Sequence, residues 1–117
     1  MSKTVFHVAF PISDPVKDQA YGVIETIRQA ERPRDHVNAL TDVIIAMTEE
    51  GLEYLFLDSL KFAKVGKFHI QAVQMGVNGA RKGLELVGRR ALKSMSDEQL
   101  LGIANYMEGL VVAVEEE

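Results

Sequence analysis

Asp58 and His69 are the residues of this sequence best suited to acid–base or binding chemistry. If the second helix is continuous, Asp58 projects into its apolar stripe, and a carboxylate set among apolar side chains needs a partner. Lys61 or His69, across a turn at Gly66, can supply one, which makes Asp58 and His69 pocket candidates. The ordinary readings are favoured over this one: Asp58 as a helix cap, and His69 as a core or boundary histidine with one hydrogen bond. The other histidines are His7 and His36, and none of the three follows a glutamate by three residues, as di-metal helical bundles require. The carboxylates Glu49, Glu50 and Glu53 therefore predict no metal site. The stretch Gly76-Val-Asn-Gly79-Ala-Arg-Lys82-Gly83 fails the spacing of a phosphate-binding loop and follows no strand. There is no nucleophile motif and no cysteine, which excludes thiolate chemistry and disulfides. No catalytic residue, cofactor or metal is expected, and the balance leans away from an enzyme without excluding one.

A second kind of chemistry is electrostatic. Net charge is −4 over 117 residues, but it is unevenly spread. Residues 1–60 carry 5 basic and 10 acidic side chains, residues 61–93 carry 8 basic and one acidic, and residues 94–117 carry 6 acidic and none basic. In the middle segment, Lys64, Lys67, Lys82, Arg89, Arg90 and Lys93 could present positive charge to nucleic acid or to an anionic membrane surface. The favoured reading is a solvated helix face turned toward acidic residues of neighbouring helices or of a partner subunit. No aromatic residues interleave with these bases for stacking, and the whole chain is acidic.

The element that must position most of these groups is Lys67 to Met95. Its apolar residues Ile70, Val73, Val77, Ala80, Leu84, Val87 and Ala91 recur at helical spacing and predict one stripe, with Lys67, Lys82, Arg89 and Lys93 opposite. Each interior glycine costs a helix about 1 kcal/mol relative to alanine. Gly76, Gly79, Ala80 and Gly83 stand at i, i+3, i+4 and i+7, which predicts a flat strip for close packing against another helix. A helix continuous through Asn78-Gly79 is preferred to two shorter ones, because the stripe keeps its phase.

The rest of the chain reads as three more helices and an arm. Ser13-Asp14-Pro15 opens the first, with Asp14 as cap, and Pro33 closes it near Glu31. Asp35 is placed to cap a second helix in which Val37, Leu40, Ile44, Met47, Gly51, Tyr54, Leu55 and Phe62 keep helical phase on an unusually wide apolar face, running to about Val65, with a possible break at Asp58-Ser59. Ser96 with Gln99 three residues on is a capping box for the last. Thr4 to Ile12 alternates loosely and reads as a short strand or extended arm with no partner strand. With its continuation, FHVAFPISDPVKDQAYG, it resembles the opening of glyoxalase-like (vicinal oxygen chelate) proteins, in which a first-strand histidine, here His7, can ligate a metal. That resemblance covers about the first 22 residues and implies a run of β-strands that this chain replaces with helices, so no role passes to His7.

The fold expected is therefore all-α: an antiparallel four-helix bundle with helices at about 14–31, 35–65, 67–95 and 96–114. It forms a single domain over 1–117, with an N-terminal arm at 1–13 and an acidic tail at 115–117. No apolar run approaches the roughly 18 residues that span a bilayer, and no cleavage signature follows Phe10, so a cytoplasmic protein is expected. The wide apolar faces and the small-residue strip predict a homodimer. The leading function is a non-enzymatic interaction or regulatory module, with an unknown protein partner allowed. The alternatives are an anionic-surface binder using the basic face of 61–93, and a small-ligand binder or enzyme with a pocket near Asp58 and His69.

Overall fold

Local sequence decides where each helix begins. At the first, the Ser13 hydroxyl accepts a hydrogen bond from the Val16 amide at 3.4 Å, and Asp14 and Pro15 fill the first turn. The cap is thus Ser13 rather than Asp14, whose charge sits instead at the positive end of the helix. At the last, Ser96 and Gln99 close the expected capping box, with bonds of 3.0 and 3.1 Å. In the computed structural model, which describes residues 3–115, these starts produce α1 (Asp14–Gln29), α2 (Val37–Leu52), α3 (Ser59–Phe62), α4 (Lys67–Lys93) and α5 (Asp97–Leu110). A 3₁₀ turn, Pro33–His36, precedes α2, and a π-helical turn, Glu53–Asp58, joins α2 to α3. The protein is all-α, with no strand among the described residues.

Two expectations about the second helix are corrected. Asp35 lies inside the 3₁₀ turn and does not cap α2, whose N-terminal residue His36 makes no side-chain cap. The chain does not restart at Asp58-Ser59: both residues keep right-handed helical angles, and Asp58 caps nothing. The Ser59 hydroxyl donates back to the carbonyls of Leu55 and Phe56. What intervenes is the π turn, which advances fewer degrees per residue and so rotates the faces that follow it. Tyr54, Leu55 and Phe62, placed by periodicity on the buried face, are exposed, and Leu57 is buried instead.

The main core is built by α1, α2 and α5. Ala20, Val23, Ile24 and Ile27 of α1 meet Leu40 and Val43 of α2 and Leu100, Ala104 and Met107 of α5. The buried Thr41 hydroxyl is satisfied by the Val37 carbonyl at 2.8 Å. Arg28 ties α1 to α5 from outside, bonding both carboxylate oxygens of Glu108 and the Asn105 side chain. The Asp97 carboxylate accepts the Arg34 amide at 2.8 Å and fastens the 3₁₀ turn to the start of α5. The fourth long helix, α4, reaches this core only near its C-terminal end, through Leu92 and the adjoining Met95. Otherwise α4 lies along α2 and the π turn. These contacts describe three helices around one core with a fourth against one side, and they do not establish the expected antiparallel bundle.

The N-terminal segment from residue 3 to Ser13 is an arm, not a strand. It is fixed at its base, where the Ser13 amide donates to Glu50 Oε1 at 2.8 Å and the Phe10 ring covers Gly51. A methyl group at position 51 would meet Phe10 Cζ at 2.7 Å, so glycine is required for that approach. Val5, Phe6 and Val8 beyond it are exposed. Met1, Ser2 and, in the acidic tail, Glu116 and Glu117 lie outside the described residues.

Candidate functional site

The stretch Lys67–Lys93 is one uninterrupted helix through Asn78-Gly79, about 40 Å long at 1.5 Å per residue. Its predicted stripe is only partly buried. Val77 is buried and Ile70 and Val73 are half-buried, but Ala80, Leu84, Val87 and Ala91 are exposed. The reason is geometric. These residues recur every 3.5 positions, and on a straight helix of 3.6 residues per turn such a row drifts by about 20° per heptad. By the second half it has walked off α2, and Gly88, Arg89 and Leu92 take over the contact side.

Four of the six basic candidates gather, Lys82, Arg89, Arg90 and Lys93, and Lys64 and Lys67 do not join them. Arg89 faces α2, where it bonds Asp42 Oδ1 at 2.7 Å and Asn38 Oδ1 at 3.2 Å, with Glu85 at 3.5 Å on its own helix. The hydrogen bond to Asp42 holds its guanidinium above its ordinary pKa, against a smaller opposing effect of burial. Arg81, another base of the segment, pairs with Glu49 Oε2 at 2.6 Å. Lys82, Arg90 and Lys93 line a shallow open depression of about 550 Å³ with Glu85, Leu86 and Arg89, all on one helix and without a facing wall. Lys64 and Lys67 stand at the other end of α4, with position 67 about 22 Å along the axis from position 82. Lys64 occupies the turn before α4 with φ 59°, the left-handed conformation that ends the preceding helical segment.

Asp58 and His69 lie on either side of the turn at residues 63–66, and both are exposed. His69 meets Phe68 edge-on, with ring centroids 5.9 Å apart. Nothing encloses the pair, so the pocket geometry that would make them a site is not formed in this chain. Among the described residues no group of three or more His, Asp or Glu side chains stands where it could hold a metal ion. None of their helices is long and apolar enough to cross a membrane.

The strip Gly76, Gly79, Ala80 and Gly83 is exposed, and a methyl added at any of its three glycines would meet nothing within 4 Å. No helix of the same chain packs on it. It lies instead in the middle of a second apolar face that the single-stripe reading missed. At 100° per residue, Phe68, Ala72, Met75, Gly76, Gly79, Ala80, Gly83, Leu86 and Val87 share a sector about 140° wide, turned away from α2. Phe68, Met75, Leu86 and Val87 are 80%, 75%, 66% and 67% exposed, far beyond what a helix dissolved in water needs to show. His69 also falls in that sector, Lys82 borders it, and beyond Val87 it is closed by Arg90 and Lys93. Alternate apolar faces on one helix were visible in the composition of α4, but periodicity alone does not say which face the neighbouring helix covers.

The surface area measures how much is left uncovered. A folded monomer of 13.0 kDa is expected to expose about 6,300 Å². This chain exposes 8847 Å². Its radius of gyration is 16.4 Å, against about 13 Å for a compact domain of 117 residues. Large apolar residues are exposed on the arm (Val5, Phe6), in the π turn and α3 (Phe56, Phe62), on α4 (Phe68, Met75, Leu86) and at the end of α5 and beyond (Tyr106, Leu110, Val112). A second depression of about 340 Å³, lined by Met95, Gln99, Gly102, Ile103 and Tyr106, lies on the outer side of α5 and was not foreseen. No protein-family model, curated protein or solved structure matches this chain.

Proposed function

We propose that this protein is a non-enzymatic helical interaction or regulatory module that works as a homodimer. The observation that carries this reading is the uncovered apolar surface. The chain exposes about 2,500 Å² more than a monomer of its mass. A standard interface takes about 800 Å² from each partner, so the excess is ample for a stable subunit contact. Part of that surface is apolar, with Phe68, Met75, Leu86 and Val87 at least 66% exposed along one face of α4, and a contiguous apolar patch marks an interaction surface. A cytoplasmic setting belongs to the same proposal.

Two other readings draw less support. An anionic-surface binder would use Lys64, Lys67, Lys82, Arg89, Arg90 and Lys93, but Arg89 is engaged by Asp42, Lys64 and Lys67 stand apart, and Lys82, Arg90 and Lys93 share their shallow depression with Glu85. A ligand pocket at Asp58 and His69 would need walls, and both side chains face water. Light scattering at low and high salt tests the main reading. A dimer that persists in high salt is expected, because apolar burial is not screened. A monomer at all concentrations refutes it, and salt-sensitive retention on heparin by that monomer would favour the anionic-surface reading.

A further inference from the structure

Resting on the homodimer reading, we infer that the second copy docks on the free face of α4, with the two α4 helices antiparallel about a two-fold axis that passes between Gly79 and Ala80. The face is apolar from Phe68 to Val87 apart from His69, is bordered by Lys82, Arg90 and Lys93, and is covered by no described helix of the chain. The uncovered area is sufficient for a second copy, and a symmetric dimer needs one patch that is complementary to itself.

The sequence of the face meets that requirement in one orientation. About a centre between positions 79 and 80, Gly79 falls opposite Ala80 of the second copy and Gly76 opposite Gly83. Moving outward, Met75 falls opposite Leu84, Ala72 opposite Val87, and His69 opposite Arg90. The small residues meet at the centre, where the backbones must come nearest, apolar side chains meet outside them, and Arg90 of one copy is kept a helix length from Arg90 of the other. An in-register parallel pair would place Phe68 against Phe68 and Val87 against Val87, bulk against bulk. Open space over Gly76, Gly79 and Gly83 leaves room for the second backbone. The four-residue spacing from Gly79 to Gly83 is one that permits close helix approach.

The absence of cysteine makes the test direct. Ala72→Cys and Val87→Cys variants are purified separately, mixed and treated with a thiol crosslinker too short to span 20 Å. In the antiparallel arrangement the 72–87 pair is adjacent, whereas two copies of position 72 are about 22 Å apart along the axis. The mixed 72–87 product should therefore dominate over both homo-products. Gly79→Leu should abolish the dimer while leaving helical content by circular dichroism unchanged. Homo-products in excess, or a Gly79→Leu variant still dimeric, would overturn the antiparallel α4 contact even where the wild type is a dimer, and so leave the homodimer reading standing. A wild type that is monomeric at every concentration would overturn both. A monomer that binds lipid vesicles through Phe68 and Leu86 would assign the same face to a membrane surface instead.

Discussion

Replacing Gly76, Gly79 and Gly83 together by alanine should stabilise the isolated subunit and weaken its self-association. Each position is helical, exposed and free of any atom within 4 Å of an added methyl group. The substitution therefore gains helix propensity, about 0.8–1.0 kcal/mol per site, with no clash to offset it inside the chain. Three sites give about 3 kcal/mol. At about 2.1 cal/mol/K per residue, the unfolding entropy of 117 residues is about 0.25 kcal/mol/K, so the melting temperature should rise by about 12 °C. In an antiparallel α4 contact the same methyl groups stand where two backbones come nearest, and overpacking of this kind costs about 1–3 kcal/mol. Urea unfolding followed by far-ultraviolet circular dichroism, at one protein concentration below dissociation and one well above it, separates the two effects. The gain should be full at low concentration and reduced or reversed at high concentration. No gain at low concentration would mean that the strip is already covered within the chain, and an equal gain at both would remove the strip from the subunit contact.

Leu40 is fully buried where α1, α2 and α5 meet, and Leu40→Ala should cost about 2–5 kcal/mol in urea denaturation. Leu86→Ala in the dissociated subunit should stay within about 0.5 kcal/mol, since Leu86 is 66% exposed; a large loss there would place it in a core. Gly51→Ala must displace the Phe10 ring, so the Ser13 amide, which donates to Glu50 at the base of the arm, should exchange with solvent faster than in the wild type, and an unchanged rate would show that Phe10 does not anchor the arm. The Glu108 carboxyl is held below its ordinary pKa by its hydrogen bond to Arg28. Its contribution is therefore present above the ordinary carboxylate range and is lost as pH falls through the lowered value. The stability difference between wild type and Glu108→Gln should shrink on acidification through that window, and a difference that does not change with pH would remove this pair as its source.

Helix starts were legible because they are local. Ser96 with Gln99 forms its capping box, the turn expected at Gly66 gives way to α4 at Lys67, and the 3.6-residue rhythm of α4 survives its glycines. The cap errors at Asp14 and Asp35 are also local, for in each case a neighbouring residue takes the position the aspartate was given. The exposure of Tyr54, Leu55 and Phe62 was not legible, since a π turn leaves no composition signal and changes which residues face the core. The candidate site depended on a different question. The sequence records that α4 is apolar over much of its circumference, but a stripe with a 3.5-residue repeat has no fixed side on a straight helix. Only the position of α2 shows that Val77 faces inward while Phe68, Met75 and Leu86 face out. That outcome changes what the glycines imply. Buried against α2, they would be ordinary packing; exposed on the other side, they are a propensity cost that the folded subunit does not recover. A cost of about 1 kcal/mol at each of three sites is a sizeable share of a typical stability of about 5–15 kcal/mol, and a contact outside the chain would offset it. The proposed antiparallel pairing, with Gly76, Gly79, Ala80 and Gly83 at its centre, is one contact that would do so.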